Sequence, residues 1–247
     1  QYTYADWMHD PAVQAHAAAV LRAHLKRVGV AAEVEAVTGS MATQVCYQHE
    51  QQASVSILIV VGSDLLALRR CVESLFEYTR YGIYEVLLIA SGDESVEVRD
   101  WLAAMGGLGG DQLRILEVQA QGKAACLNMG SEYARGEYLL LLDVGCVLFD
   151  AHWLQALMSQ AQRPEVGAVG PKLYARDGTA ACSAMVLGLG GAAGNPFAGN
   201  AADADSYLDR LRLVQNWSAL NQDCLLVRRE LFHELQGLDT QAFQQDW

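Results

Sequence analysis

Residues 54–61 read SVSILIVV, a continuous, largely β-branched run whose two serines are its sole polar residues. That texture predicts a parallel strand covered on both faces, because a strand with one wet face would alternate. A parallel neighbour needs a crossover helix first, and DLLALRRCVESLFEYTR (64–80) supplies one, with Leu65, Leu68, Cys71, Val72, Leu75 and Phe76 at helical spacing. The alternation continues with a strand in YEVLLIAS (84–91), a helix in ESVEVRDWLAAM (94–105), a Gly-rich turn and a strand in LRILEV (113–118). A helix in GKAACLNMGSEYA (122–134) and a strand in YLLLLDV (138–144) complete it. The pattern predicts an α/β fold, a mostly parallel sheet flanked by helices, in which ligands bind beyond the carboxyl ends of the strands. Attention therefore falls on the strand-end stretches 61–64, 90–93 and 143–146.

On the N-terminal side, DPAVQAHAAAVLRAHLKRVG (10–29) predicts a helix with Asp10 as N-cap, Pro11 in the first turn and Gly29 as stop. Val13, Ala17, Val20, Leu21 and Val28 are its expected packing face. AAEVEAV and ATQVCYQ alternate around Thr38-Gly39-Ser40 and predict a small hairpin. The polar HEQQA sets a boundary near residue 52, so residues 1–52 are expected as a helix-and-hairpin appendage and 53–247 as the main domain. On the other side, VGAVGPKLYARDGT and AMVLGLGG predict short strands. Residues 191–206, rich in Gly, Ala, Asn and Asp, predict a mobile loop, and DCLLVRRELFHELQG a strand running into a helix stopped by Gly237.

Half of the 247 residues are apolar (52%), enough for a substantial core. The formal charge of −12 argues against a nucleic-acid backbone or an anionic membrane as the main partner. Six cysteines, Cys46, Cys71, Cys126, Cys146, Cys182 and Cys224, are scattered with no C-x-x-C pair and read as buried free thiols of a reducing, cytoplasmic compartment. No run reaches the ~18 apolar residues of a membrane span. Starting at Gln1 rather than methionine, the chain reads as a piece of a longer protein, truncated at its C-terminus and with an anchor or further domains expected in its flanks.

From about residue 55 onward the order and spacing of VSILIVV, YEVLLIASGD, GKAACLNMGSEYARGEYLLLLD, WLQALM, VGAVGPKLYARDGT and CLLVRRELFHELQGLD resemble a family-two glycosyltransferase of the GT-A (Rossmann-like) fold. The N-terminal helix and the VEAV…QVCY hairpin resemble the lead-in of bacterial members, often called rhamnosyltransferase-like, that build O-antigen or other surface polysaccharides. The resemblance implies a UDP-, GDP- or dTDP-linked sugar donor and a polysaccharide, lipid-linked or protein-glycan acceptor. It also implies a place at the inner face of the membrane beside another glycosyltransferase domain or subunit. Such chemistry has to neutralise charge growing on the leaving phosphate and remove a proton from the attacking hydroxyl. The family does this with an acid ending the second strand, an Asp-x-Asp gripping ribose and Mg²⁺ or Mn²⁺, and a late carboxylate base.

This sequence departs from that pattern at each acid. The first falls on Ala90; the Asp-x-Asp falls on Asp143-Val144-Gly145; the late base falls on Gln245, with Asp246 one residue on. Thr-Gly-Ala becomes Asn221-Gln222-Asp223, and the first strand's Pro-Thr becomes Val60-Val61. What remains is Gly122-Lys123, Asn128-x-Gly130 and Asp143. The resemblance thus assigns the donor to Val61, Ser91, Asp93, Lys123, Asn128 and Asp143, a metal to Asp143 alone, and the acceptor side to Asp246 and Asp223. Asp150 and His152 read as surface residues, His233 as a helix-surface histidine, and Trp153, Tyr207 and Trp217 as packing, Trp217 being the best of these for stacking on a sugar. GLGGAA (188–193) mimics a dinucleotide fingerprint, but GNPFAGN cannot open the helix that such a motif needs. Two functions stand: an active glycosyltransferase with Lys123 and Asp143 at the donor, or a domain that keeps the fold without the reaction and serves as an interaction, scaffolding or glycan-binding module.

Overall fold

The computed structural model describes residues 11–37, 42–108, 110–182, 184–201, 204, 206 and 210–241. Along the chain come α1 (Pro11–Arg27), β1 (Ala32–Ala36), β2 (Thr43–Tyr47), β3 (Val55–Val60), α2 (Leu65–Tyr78) and β4 (Tyr84–Ala90). Then follow α3 (Val96–Leu108), β5 (Leu113–Glu117), α4 (Lys123–Tyr133), β6 (Tyr138–Leu142) and α5 (Trp153–Ala161). The remaining elements are β7 (Ala168–Val169), β8 (Leu173–Tyr174), β9 (Ala180–Cys182), β10 (Val186–Leu187), β11 (Ala193–Gly194), β12 (Cys224–Arg228) and α6 (Arg229–Glu234). Two compact units are formed, one by Gln51–Pro171 with Asn221–Trp247, the other by Gln1–Glu50 with Lys172–Leu220.

The first unit is built on a six-stranded sheet of order β5-β4-β3-β6-β12-β7. β3 pairs in parallel with β4 on one edge and β6 on the other, and β5 continues the parallel set; β12 runs antiparallel to both β6 and β7. Ile57, Leu58 and Ile59 are wholly buried because helices cover both faces, which is why β3 has no polar alternation. Leu58, Leu87, Ile89, Leu139 and Leu141 meet Cys126 and Leu127 of α4 and Phe232 of α6 in one core cluster. At the start of α2, Asp64 is the N-cap, its Oδ1 accepting from the Leu66 and Ala67 amides at 2.9 and 3.0 Å.

A buried carboxylate locks the other end of these strands. Glu85 of β4 accepts from Ser56 Oγ (2.7 Å), the Arg135 amide (2.7 Å) and Arg114 Nη1 (2.8 Å), and Ser56 Oγ accepts from the Gly136 amide (2.8 Å). Gly136 has to be glycine here, since a Cβ would lie 2.5 Å from Ser56 N. Burial pushes the Glu85 carboxyl up, but the Ser56, Arg114 and Arg135 hydrogen bonds and the Arg114 charge outweigh it and hold the carboxyl below its usual value.

In the second unit β1 and β2 form the expected antiparallel hairpin, Val34 opposite Val45. The packing face of α1 differs from the sequence expectation. Ala18 and Leu25 are buried against Val34 with Leu21 beside them, whereas Val20 and Val28 are 60% and 53% exposed. In an alanine-rich helix two faces are nearly equal in hydrophobicity, and the hairpin chose the one that reaches Val34. Asp10 and Thr38-Gly39-Ser40 lie outside the described residues. β8 pairs with β9, and β10 with β11. Gly188 to Ala192 is the turn of that last hairpin, with Gly188 N bonded to Ala192 O at 2.9 Å, so the glycine run joins two strands rather than a strand and a helix. Part of the stretch expected as a mobile loop is thus strand β11. All six cysteines are free thiols, and among the described residues no helix is long and apolar enough to cross a membrane.

The Glu85 network yields a pH-dependent expectation. Replacing Glu85 by Gln at neutral pH sets an amide against Arg114 and costs about 1–3 kcal/mol, read as a lower urea midpoint. Because the folded pKa is depressed, the carboxylate's contribution is full above the unfolded value of about 4.3 and is lost as pH falls through the folded value. The gap between wild type and variant therefore narrows on acidification.

Candidate functional site

The strand order reverses between β3 and β6, since β4 and β5 lie to one side of β3 and β6 to the other. In open α/β sheets that reversal opens a crevice at the carboxyl ends. β6 delivers Asp143 there, one residue past its last leucine, and the loop after β5 delivers Lys123 as the first residue of α4. Gly122 makes that turn with φ 84°, a backbone that favours glycine, and places no side-chain cap on the helix.

Lys123 Nζ and Asp143 Oδ2 form a short ion pair, with side chains 21% and 31% exposed. The other carboxylate oxygen, Oδ1, accepts the Gly145 amide at 2.8 Å, closing a turn on Asp143 itself. Gly145 is matched to this turn: a Cβ there would sit 3.0 Å from that same Oδ1. Burial raises the Asp143 pKa, but the bonds from Lys123 and Gly145 and the Lys123 charge lower it further, leaving it below the ordinary aspartate value.

The back of the turn is tied to β12. Asp143 N donates to Asp223 O at 2.8 Å, and Asp223 N to Asn221 Oδ1 at 2.8 Å. Antiparallel pairing of Leu142 with Cys224 creates this contact across the long separation in sequence. Two thiols add to it, Cys146 Sγ pointing to Asp223 O (3.4 Å) and Cys71 Sγ to Asp143 O (3.8 Å). Burial pushes both thiols up to about 12, helped at Cys71 by Cys146 and Asp143 and at Cys146 by Asp143 and Asp223, so they stay protonated and donate weakly.

The structure thus joins Lys123, Asp143 and Asp223. It places the other sequence candidates differently. Val61 is buried, its amide bonded to Ile89 O at 2.8 Å in the sheet. Ser91 gives its amide to Glu94 Oε1 at 2.6 Å, and Asp93 is exposed in the same loop. Asn128 spends both ends of its amide on the main chain of Leu238. Ala90 is the buried last residue of β4, its carbonyl taken by Val118 N at 2.8 Å. Gln245 and Asp246 lie outside the described residues. Glu94, 6% exposed and also accepting the Gly92 amide (3.0 Å), escaped the sequence reading. Its signal is the acid three residues beyond Ser91, the reach of a carboxylate folding back on a turn.

A divalent cation does not fit this donor set. Both Asp143 oxygens are already engaged, one by a cation, and among the described residues no group of three or more His, Cys, Asp or Glu side chains is placed to hold a metal ion. Gly145, two residues after Asp143, has no side-chain oxygen to offer a hard cation at this turn.

With this geometry in view, comparison with known proteins finds that the family model described as glycosyl transferase family 2 matches residues 56–235. The O-antigen biosynthesis protein RfbC of Myxococcus xanthus is 33% identical over 224 residues, 89% of this chain and 17% of that protein. The chain spans at most 20% of the length of the curated relatives it matches. Among solved structures, the mannosyltransferase PcManGT of Pyrobaculum calidifontis in complex with GDP-Man and Mn²⁺ has a TM-score of 0.55 at 17% identity, covering 77% of this chain and 49% of that one. GalNAc-T7 with UDP, GalNAc and Mn²⁺ gives 0.61 at 17% identity, covering 84% and 41%. At such identity these neighbours establish the α/β GT-A fold alone.

Removing the internal cation should free the carboxylate. In Lys123→Met the Asp143 pKa is expected to rise, measured by a carbon-13 carboxyl titration with Asp143→Asn as the assignment control. An unchanged pKa would assign the depression to the Gly145 amide instead.

Proposed function

We propose that this chain, which belongs to glycosyl transferase family 2, binds a UDP-, GDP- or dTDP-linked sugar at the carboxyl end of β3 and β6 and transfers the sugar without a divalent cation. The acceptor is a surface polysaccharide or a protein glycan. The observation that carries this reading is the Lys123–Asp143 ion pair, which sets a lysine side chain against the acid of the stretch that resembles the family's Asp-x-Asp. The O-antigen role of the relative RfbC supports the acceptor class, and the GDP-Man and UDP held by the two structural neighbours support the donor class.

In this reading the Lys123 ammonium turns from Asp143 to the diphosphate and offsets the charge that grows there as the bond from the anomeric carbon to phosphate oxygen breaks. A lysine suits the task as a compact point charge with three donors. Asp143 accepts from a ribose hydroxyl with the oxygen that Lys123 leaves. The acceptor hydroxyl oxygen bonds the anomeric carbon, and its proton passes to the carboxylate of Asp246, or of Asp223 beside Asp143.

A second reading, a domain that keeps the fold but not the reaction and acts as an interaction, scaffolding or glycan-binding module, draws support from Ala90 and Gly145 standing where the family resemblance leads one to expect acids. Calorimetric titration with UDP, GDP and dTDP separates the two. Binding of one nucleotide that is indifferent to Mn²⁺ and tenfold or more weaker in Lys123→Ala, about 1.4 kcal/mol, supports the metal-free transferase. Tight binding that requires Mn²⁺ overturns it, and no binding of any nucleotide leaves the second reading.

A further inference from the structure

In the smaller unit an arginine is built onto an indole. Arg210 lays its guanidinium over the Trp217 ring, 4.7 Å from the centroid, and Phe197 meets that ring edge-on at 6.0 Å with the two planes 80° apart. Each member is fixed from behind. Gln215 holds Arg210 reciprocally, its Oε1 accepting from Arg210 Nε at 2.9 Å and its Nε2 donating to Arg210 O. Ser218, the residue after Trp217, takes the Leu187 amide on its Oγ at 3.0 Å, and the Ala219 amide donates to Met185 O at 3.2 Å, which fastens the Trp217 stretch beside β10. Phe197 sits in a turn closed by Asn195, whose Oδ1 accepts the Phe197 amide (2.9 Å) while its Nδ2 reaches Ala181 O of β9 (3.0 Å).

The arrangement leaves strong donors without acceptors. Of the N–H groups in an arginine's rigid fork, Arg210 spends only Nε. Among the described residues nothing accepts from Nη1 or Nη2 of this exposed side chain, or from the indole Nε1 of the half-exposed Trp217. Acids outnumber bases 29 to 17 in this chain, yet no described carboxylate pairs with Arg210, so the outer edge of the fork faces solvent unopposed. Gln215 and Trp217 have already immobilised the guanidinium, and a ligand therefore does not have to order it. With Nε occupied, the remaining edge takes the two oxygens of one planar carboxylate side by side. Beside that edge, two aromatic side chains at right angles offer an apolar corner. We propose that Arg210, Trp217 and Phe197 form a binding site for an acidic sugar, the carboxylate of a uronic acid lying on the η edge of Arg210 and the apolar face of its ring against the aromatic corner. The site uses neither Lys123 nor Asp143, so it stands under either reading of the larger unit.

The test is an NMR titration of the full nitrogen-15-labelled chain, following the Trp217 indole N–H, which Trp217→Phe assigns by its disappearance. The probes are trigalacturonate, the neutral galactotriose, inorganic phosphate and triglutamate. Trigalacturonate is expected to shift the Trp217 resonance in a saturable way and to bind about tenfold or more tighter than each of the other three, because only it offers both the carboxylate and the ring. Arg210→Lys, which keeps the charge but loses the planar fork, weakens trigalacturonate binding by about tenfold. Gln215→Ala, which unclamps the guanidinium, weakens it by about threefold. An unchanged urea midpoint in Arg210→Lys shows that the exposed substitution leaves the fold intact. Trigalacturonate that leaves Trp217 unshifted, binds Arg210→Lys as well as wild type, or binds no better than galactotriose overturns the proposal. Phosphate or triglutamate binding as tightly as trigalacturonate overturns it as well, since the fork would then be reading an oxyanion from any source and not a sugar.

Discussion

Everything in the larger unit follows from the burial of β3. With Ile57, Leu58 and Ile59 wholly enclosed and both edges bonded to neighbours, the middle of the sheet has no room for a polar side chain. Polar chemistry is thereby driven to the strand ends, and the two ends carry opposite duties. At one, Glu85 binds Ser56, Arg114 and the turn at Arg135 and Gly136 into a closed, fully satisfied network. At the other, Asp143 ends β6 in a half-exposed turn where its partners can be exchanged. Each end has a carboxylate with a depressed pKa. What separates a strut from a site is access: Glu85's side chain is 10% exposed, Asp143's 31%.

The charge balance of the chain sharpens the role of Lys123. A molecule of formal charge −12 repels a diphosphate at long range, so any anion reaching the crevice has to be received by a local cation. In the transferase reading Asp143 holds that cation at the crevice before a ligand arrives, and the diphosphate takes its place as partner. The two protonated thiols behind the turn contribute no charge, since burial holds Cys71 and Cys146 in their neutral form.

The fold was legible because its signal is composition at a fixed place in an alternating order. Every strand from SVSILIVV to YLLLL reads as a run with no polar break longer than Ser56, and the helices between them carry apolar residues at helical spacing. The face of α1 was not legible, since alanines at 12, 15, 17, 18 and 19 leave little to choose between sides. At the site, Asp143 and Lys123 could be named from the resemblance, but not their pairing, which depends on how the Gly122 turn delivers α4. Asn128 was named as a donor residue, and the structure instead gives its amide to Leu238, a partner 110 residues away that no local pattern announces. Glu94 was missed because its task is to satisfy the Ser91 and Gly92 amides, a duty set by loop shape rather than by residue type.

The antiparallel return of β12 onto β6 has a consequence for synthesis. β6 gains its second neighbour only when Cys224–Arg228 arrives, after the whole of Lys172–Leu220, which belongs to the other compact unit. Until then YLLLL presents an open, uncharged edge of main-chain donors and acceptors, the kind of surface that nascent chains use to stick to one another. The order of emergence from the ribosome therefore sets how long this protein travels unfinished, and its leucine-rich central strand is the part most in need of a chaperone's cover.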